Sequence, residues 1–197
     1  FSTMASILFR ISFAALFVNV KANMLISSLS KKIKLYVPPS PDDSSQAMGA
    51  CYTYQVLKWL SSIHFKGNIV VSKHFYDKRV SKFINLINND DLKLKMIEGL
   101  NFDNEITNCD IIFCGGGTTL LESCYLGLPT VVMPQNHREY IFSKLIEKHK
   151  AALVTLNPFK DEIKVKKLIY SHKLRRLMKK AQTTLVDGRG KERIIKA

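Results

Sequence analysis

The chain has 197 residues, 46% of them hydrophobic, with 30 Lys and Arg against 16 Asp and Glu, a formal net charge of +14. That length allows one good domain and an appendage, and no internal repeat or low-complexity run divides it further. The four cysteines include no Cys-x-x-Cys pair and the five histidines are scattered, which excludes a metal site of the paired-cysteine kind.

Met4 to Val20 is the most apolar stretch, but Arg10 interrupts it and Asn19 and Lys21 close it. A spanning helix needs about 20 predominantly apolar residues, so a buried strand and helix is expected here rather than a membrane segment. A secretory signal lacks support too, since no basic n-region or small-residue cleavage site accompanies the run. The chain opens on Phe1, not a start methionine, as a fragment would. PPSPDDSS, from Pro38 to Ser45, is a turn-rich loop, and Ser61 to Gly67 is a seam between about sixty residues and about 130. A sixty-residue piece buries only about 60% of the surface its unfolded chain exposes, so it needs the larger part for support.

After the seam, strands alternate with helices. Asn68 to Ser72 is a strand, His74 to Asn88 has Phe75, Val80, Phe83, Ile84 and Ile87 at helical spacing, and Leu92 to Ile97 is a strand with alternating lysines. Phe102 to Asn108 is a short helix. Asp110 to Cys114 is an apolar run of the kind found in a strand buried on both faces, and Gly115, Gly116 and Gly117 end it. Thr118 is expected to cap a helix running to Leu126, which Gly127 stops, with Pro129 beyond. Thr130 to Met133 is a second buried strand. His137 to His149 is an amphipathic helix with Tyr140, Ile141, Leu145 and Ile146 on its apolar side, Ala151 to Leu156 a further strand, and the remainder is helical and basic. The pattern predicts an α/β fold, a Rossmann-like parallel sheet with helices on both faces, preceded by a small α/β appendage.

Strand, glycine loop, helix and strand within 28 residues form a phosphate-binding layout. Glycine lets the backbone approach an anion, and the free N–H groups and dipole of a helix start attract negative charge. Glu122 lies one turn after Thr118, where its carboxylate can accept from sugar hydroxyls. Gln135 and Asn136 place two amides at the carboxyl edge of the sheet, where open α/β sheets bind ligands. Cys114 reads as a strand-end core thiol, and His137 as the start of a surface helix.

The segments DIIFCGGGTTLLE, LGLPTVVMPQN, HREYIFSKL and LVDGRGKERI together resemble the C-terminal domain of GT-B nucleotide-sugar enzymes, the group of the MurG-like glycosyltransferases, and most of all the UDP-sugar hydrolase of pseudaminic acid synthesis and its spore-coat polysaccharide relatives. The resemblance covers Lys66 to Ala197. It implies that Gly116, Gly117 and Thr118 face the nucleotide diphosphate, Glu122 the ribose, and Gln135 and Asn136 the sugar or phosphates, with Gly115, Thr119 and Glu139 in the same nucleotide-binding site. No catalytic residue, metal or cofactor is implied for this half; in such enzymes a second, N-terminal domain brings the acceptor or the base. A departure from the family is the placement of its usual Gln a little later than Gln135.

Upstream, ALFVNVKANMLISSL and IKLYVPPSPDDSSQAMGACYTY resemble the tail of NodU-type carbamoyltransferases through Phe17, Asn19, Asn23, Pro38, Pro39, Asp42, Gly49 and Ala50. Ala14 and Ala15 stand where the family has nucleotide-contacting glycines, so no carbamoyl adenylate is expected to bind. The organisation expected is thus a carbamoyltransferase-tail-like segment at 1–62 and a nucleotide-sugar-binding domain at 63–197. The expected partner is a UDP-sugar, in a cytoplasmic protein whose isolated chain has little turnover. Two alternatives remain open: a carbamoyltransferase fragment fused to this domain, and a basic polyanion-binding module. The basic helices attract any polyanion, an anionic membrane surface included, but no aromatic platform or known module argues for nucleic acid.

Overall fold

A computed structural model describes residues 33–37, 52–65, 67–72, 93–97 and 106–196. Lys32–Val186 form one compact unit, and Asp187–Ala197 fall outside it. The expected helix at 74–88, and the residues that carry the carbamoyltransferase resemblance from Phe17 to Ala50, lie outside the described residues.

Among the described residues the unit has six strands: β1 (Lys34–Val37), β2 (Asn68–Ser72), β3 (Lys93–Ile97), β4 (Ile111–Cys114), β5 (Thr130–Val132) and β6 (Leu153–Val154). They run in the order β3-β2-β1-β4-β5-β6, and every pairing is parallel. The chain therefore grows outward from β1 in one direction and from β4 in the other. Their shared boundary is the point where the order reverses, and in open α/β sheets the crevice beyond the carboxyl ends of such strands takes the ligand.

Side chains alternate across the sheet with period two, as a sheet covered on both faces requires. Ile111 and Phe113 join Leu35, Val37, Ile69, Val71 and Val131 in one core, while Ile112 and Cys114 join Val70 and Val132 in the other. The first core is closed by α1 (Tyr52–Ser62), through Val56, Leu57, Trp59 and Leu60, and by α4 (Glu162–Tyr170), through Val165, Leu168 and Ile169. The second is closed by α2 (Thr118–Leu126), through Leu120 and Cys124, and by Ile146 of α3 (His137–Lys148). Trp59 stacks at a tilt on Phe113, their ring centroids 6.3 Å apart, and its indole N–H donates to Glu162 at 3.4 Å. The predicted α/β sheet with helices on both faces is the observed one.

The seam expected at Ser61 to Gly67 is a helix-to-strand turn inside this unit. Phe65 in that turn is fully buried, and β1 and α1, both upstream of it, supply a central strand and a core helix. Asp110 helps tie the upstream strand in, exchanging two 2.8 Å hydrogen bonds with the backbone of Lys34.

A fifth helix, α5 (His172–Leu185), follows α4 directly, because Ser171 ends one helix and caps the other with its hydroxyl. It packs on the C-terminal end of α2 and the start of β5. There Gln182 Nε2 donates to the Leu128 carbonyl at 2.8 Å and to Thr130 Oγ1 at 3.1 Å. Gly127 stops α2 at φ 63°, a left-handed conformation that favours glycine. The last helix, α6 (Gly190–Lys196), lies among residues 187–197, where Asp187 pairs with Arg193.

Candidate functional site

The glycine loop leaves the carboxyl end of β4, beside β1, and so emerges where the strand order reverses. The loop after β5 emerges next to it, and Met133 N–H donates to the Cys114 carbonyl at 2.8 Å, holding the two loop roots together.

Its three glycines do different work. A Cβ on Gly116 would stand 2.5 Å from Ser143 Oγ and 2.9 Å from the Glu139 carbonyl oxygen, so α3 packs directly on this backbone and no side chain fits. A Cβ on Gly115 would come no closer than 3.4 Å to Glu139 Oε2, an ordinary contact. A Cβ on Gly117 would meet nothing within 4 Å, and this residue is exposed. Packing explains Gly116; it gives no reason for a glycine at 117.

Gly117, not the expected Thr118, is the N-cap of α2; Thr118 is the first helical residue, and no side chain caps the helix. Leu120 N–H reaches back to the Gly117 carbonyl at 3.1 Å. The N–H groups of Gly117, Thr118 and Thr119 have no intrahelical acceptor, as at any helix start, and they carry the positive end of the helix dipole. Gly117 and Thr118 are exposed and Thr119 half-buried, so these donors face solvent at the carboxyl edge.

Glu139 is the organising side chain. Its Oε2 accepts from Gly116 N–H at 2.8 Å and from Gln135 N–H at 2.9 Å, bridging the two loops. Its own N–H donates to Asn136 Oδ1 at 2.9 Å, which makes Asn136 the N-cap of α3. One turn on, Ser143 Oγ donates to the Glu139 carbonyl at 2.6 Å and fills the space that Gly116 leaves. The part played by Ser143 was not foreseen; its signal is a small residue four places after Glu139 on an otherwise bulky helix.

This packing also corrects the expected apolar side of α3. Ile146 and Ser143 face inward, whereas Ile141 and Leu145 are half-exposed. The helix turns its small residue to the glycine loop, which rotates those two apolar positions outward.

Gln135 and Asn136 are half-buried at the edge, each with one polar end engaged. Gln135 Nε2 donates to the Met133 carbonyl at 2.8 Å, so its carbonyl oxygen is the end left for a ligand; Asn136 keeps its amide N–H groups. Glu122 is half-buried on α2, and the negative charges of Glu139 and Glu122 both act on Cys114, which places both carboxylates around the end of β4. Burial, first, and then the fields of Cys124, Glu139 and Glu122 push the Cys114 thiol well above its usual range. Cys114 is a core thiol, poorly suited to act as a nucleophile. His137 is exposed at the start of α3. Among the described residues no group of His, Cys, Asp and Glu is arranged to hold a metal ion.

The fold is shared with solved nucleotide-sugar enzymes. MurG of Acinetobacter baumannii matches 82% of this chain at 15% identity with a TM-score of 0.57, over 50% of its own length. A putative UDP-N-acetylglucosamine 2-epimerase from Listeria monocytogenes matches 83% at 15% identity and a TM-score of 0.60, over 44% of its length. The Staphylococcus aureus MnaA structure with UDP matches 84% at 18% identity and a TM-score of 0.61, again over 44%. The chain thus spans half or less of these structures, and the likeness shows the Rossmann-like GT-B fold. No family model matches the sequence, and no curated protein sequence does.

Proposed function

We propose that this chain is the nucleotide-sugar-binding half of a UDP-sugar hydrolase or glycosyltransferase of surface glycan synthesis, working in the cytoplasm with a second domain. The observation that carries this reading is Gly117: an exposed glycine with no packing reason to be one, at the uncapped start of a helix, at the reversal point of a parallel sheet. The solution of one matching structure with UDP supports the choice of nucleotide.

In this reading the N–H groups of Gly117, Thr118 and Thr119 take the diphosphate, Glu122 accepts from the ribose hydroxyls, and Gln135 and Asn136 meet the sugar with their unengaged ends. The Gly116 N–H is already held by Glu139, so that glycine serves the shape of the site and not the ligand. During departure of the nucleotide, the helix dipole and the three N–H groups stabilise the charge growing on the diphosphate. The base that activates water or an acceptor belongs to the second domain, so the isolated chain binds and does not turn over.

Isothermal titration with UDP and UMP tests this. Binding of UDP, weaker binding of UMP and loss of both in Gly117→Asp are expected. Absence of heat with either nucleotide at millimolar concentration sinks the proposal.

A further inference from the structure

Residues 160–185 contain nine Lys and Arg and two acidic residues, a surplus of seven and half of the whole chain's +14. Both acidic residues are paired within α4 and its cap: Asp161 with Lys164 and Glu162 with Lys166. Arg175 is engaged too, donating to the Ile169 carbonyl at the end of α4. What remains is arranged by the helix period. Along α4, Ile163, Lys167 and Tyr170 form one outward stripe, opposite the buried Val165, Leu168 and Ile169. Along α5, which contains no acidic residue, Lys173, Arg176 and Lys180 form the outward stripe with Leu177 at its flank.

Three large apolar side chains lie exposed among these cations: Ile163 at 84%, Tyr170 at 57% and Leu177 at 52%. Tyr170 and Lys173 stand on either side of the direct α4–α5 junction at Ser171.

The α5 cations stand away from the glycine loop. Helix α5 rests on Gly127, Leu128 and Thr130, at the C-terminal end of α2 and the amino end of β5. The glycine loop lies at the other end of α2, about 13 Å away for a nine-residue helix.

We propose that the outer face of α4 and α5 docks on an anionic phospholipid surface. Lys167, Lys173, Arg176 and Lys180 meet headgroup phosphates, while Ile163, Tyr170 and Leu177 enter the boundary between headgroups and acyl chains. A bilayer uses both halves of this surface. A nucleic acid uses only the cations, and single-stranded binding needs successive aromatic platforms where this face offers Tyr170 alone. No helix among the described residues is long and apolar enough to cross a membrane, so the contact is peripheral. The inference is independent of what binds at the glycine loop.

Co-sedimentation of the full chain with vesicles tests it. Binding to phosphatidylcholine vesicles containing phosphatidylglycerol, weakened by salt, unaffected by UDP and absent with phosphatidylcholine alone, is the expected result. Each Lys or Arg near an anionic surface adds about fivefold to the affinity, so the combined Lys173→Glu, Arg176→Glu and Lys180→Glu variant should lose at least about 100-fold. Ile163→Ser with Leu177→Ser should weaken vesicle binding several-fold and leave the salt dependence in place. All five positions are exposed, so circular dichroism of the variants should match the parent. The proposal is overturned if binding ignores lipid charge, if the charge-reversed chain binds as the parent does, or if single-stranded RNA displaces the vesicles and the serine variant binds them unchanged.

Discussion

Glu139 Oε2 lies 2.8 Å from the backbone nitrogen of Gly116, and 2.9 Å from that of Gln135, so one carboxylate oxygen joins the loops after β4 and β5. Hydrogen bonds to a charged group contribute about 1.5–3 kcal/mol each when buried, and less at this half-buried site. Glu139→Ala should lower stability by about 2 kcal/mol in urea unfolding. Glu139→Gln retains an acceptor oxygen and should lose about half as much; an Ala variant as stable as the parent would show that the bridge contributes nothing.

The two neighbouring glycines should separate cleanly. Gly116→Ala forces a methyl group against Ser143 and the α3 backbone and should destabilise by about 1–3 kcal/mol. Gly117→Asp meets no atom and places a favoured capping residue at the helix start, so stability should hold or rise by a few tenths of a kcal/mol. That variant should nonetheless bind no UDP. A loss of stability comparable to that of Gly116→Ala would remove the argument that Gly117 is kept free for a ligand.

Thiol chemistry gives a third check. Burial pushes Cys124 up to about 11, with a hydrogen bond from Gln182 pulling back, and pushes Cys114 up as well. At pH 8 about a thousandth of Cys124 is thiolate. Both thiols should resist Ellman's reagent in the folded chain and react on unfolding. The raised values favour the neutral thiols of the fold, a contribution present below the unfolded value near 9.0 and lost as pH climbs through the folded one. Stability should therefore fall above pH 9, and Cys124→Ser should reduce that slope.

The acid limb rests on Asp161. A 2.7 Å hydrogen bond from Thr155 Oγ1, and then the neighbouring Lys164, hold its carboxyl below the usual range. A lowered value contributes stability above the unfolded pKa, which is lost as pH falls through the folded one. Asp161→Asn should flatten the stability profile below about pH 4, read by thermal melts across pH.

Local signals were easy to read in this chain. Asn68 to Ser72 is a strand with the expected bounds, and α2 ends at the expected Leu126, because β-branched runs and the Gly127 stop are written in consecutive residues. Thr118 has the chemistry of a cap, but the helix has already begun there and Gly117 is its N-cap, which only the backbone shows. The central position of β1 was not legible either. Its Lys34 pairs with Asn68 and its Leu35 with Ile111, 34 and 76 residues away, and pairing over such separations leaves no periodic trace. The bridging role of Glu139 depends on how closely α3 approaches the loop, which Gly116 and Ser143 permit jointly and neither announces alone.

The absence of a side chain at Gly116 has an entropic consequence. Because α3 rests on that backbone and Glu139 grips it, the loop is already in one shape before any ligand arrives. Ordering a mobile interface costs about 0.5–1.5 kcal/mol for each side chain immobilised, and much of that penalty is met here during folding. A loop of this kind can hold a small anion with few contacts.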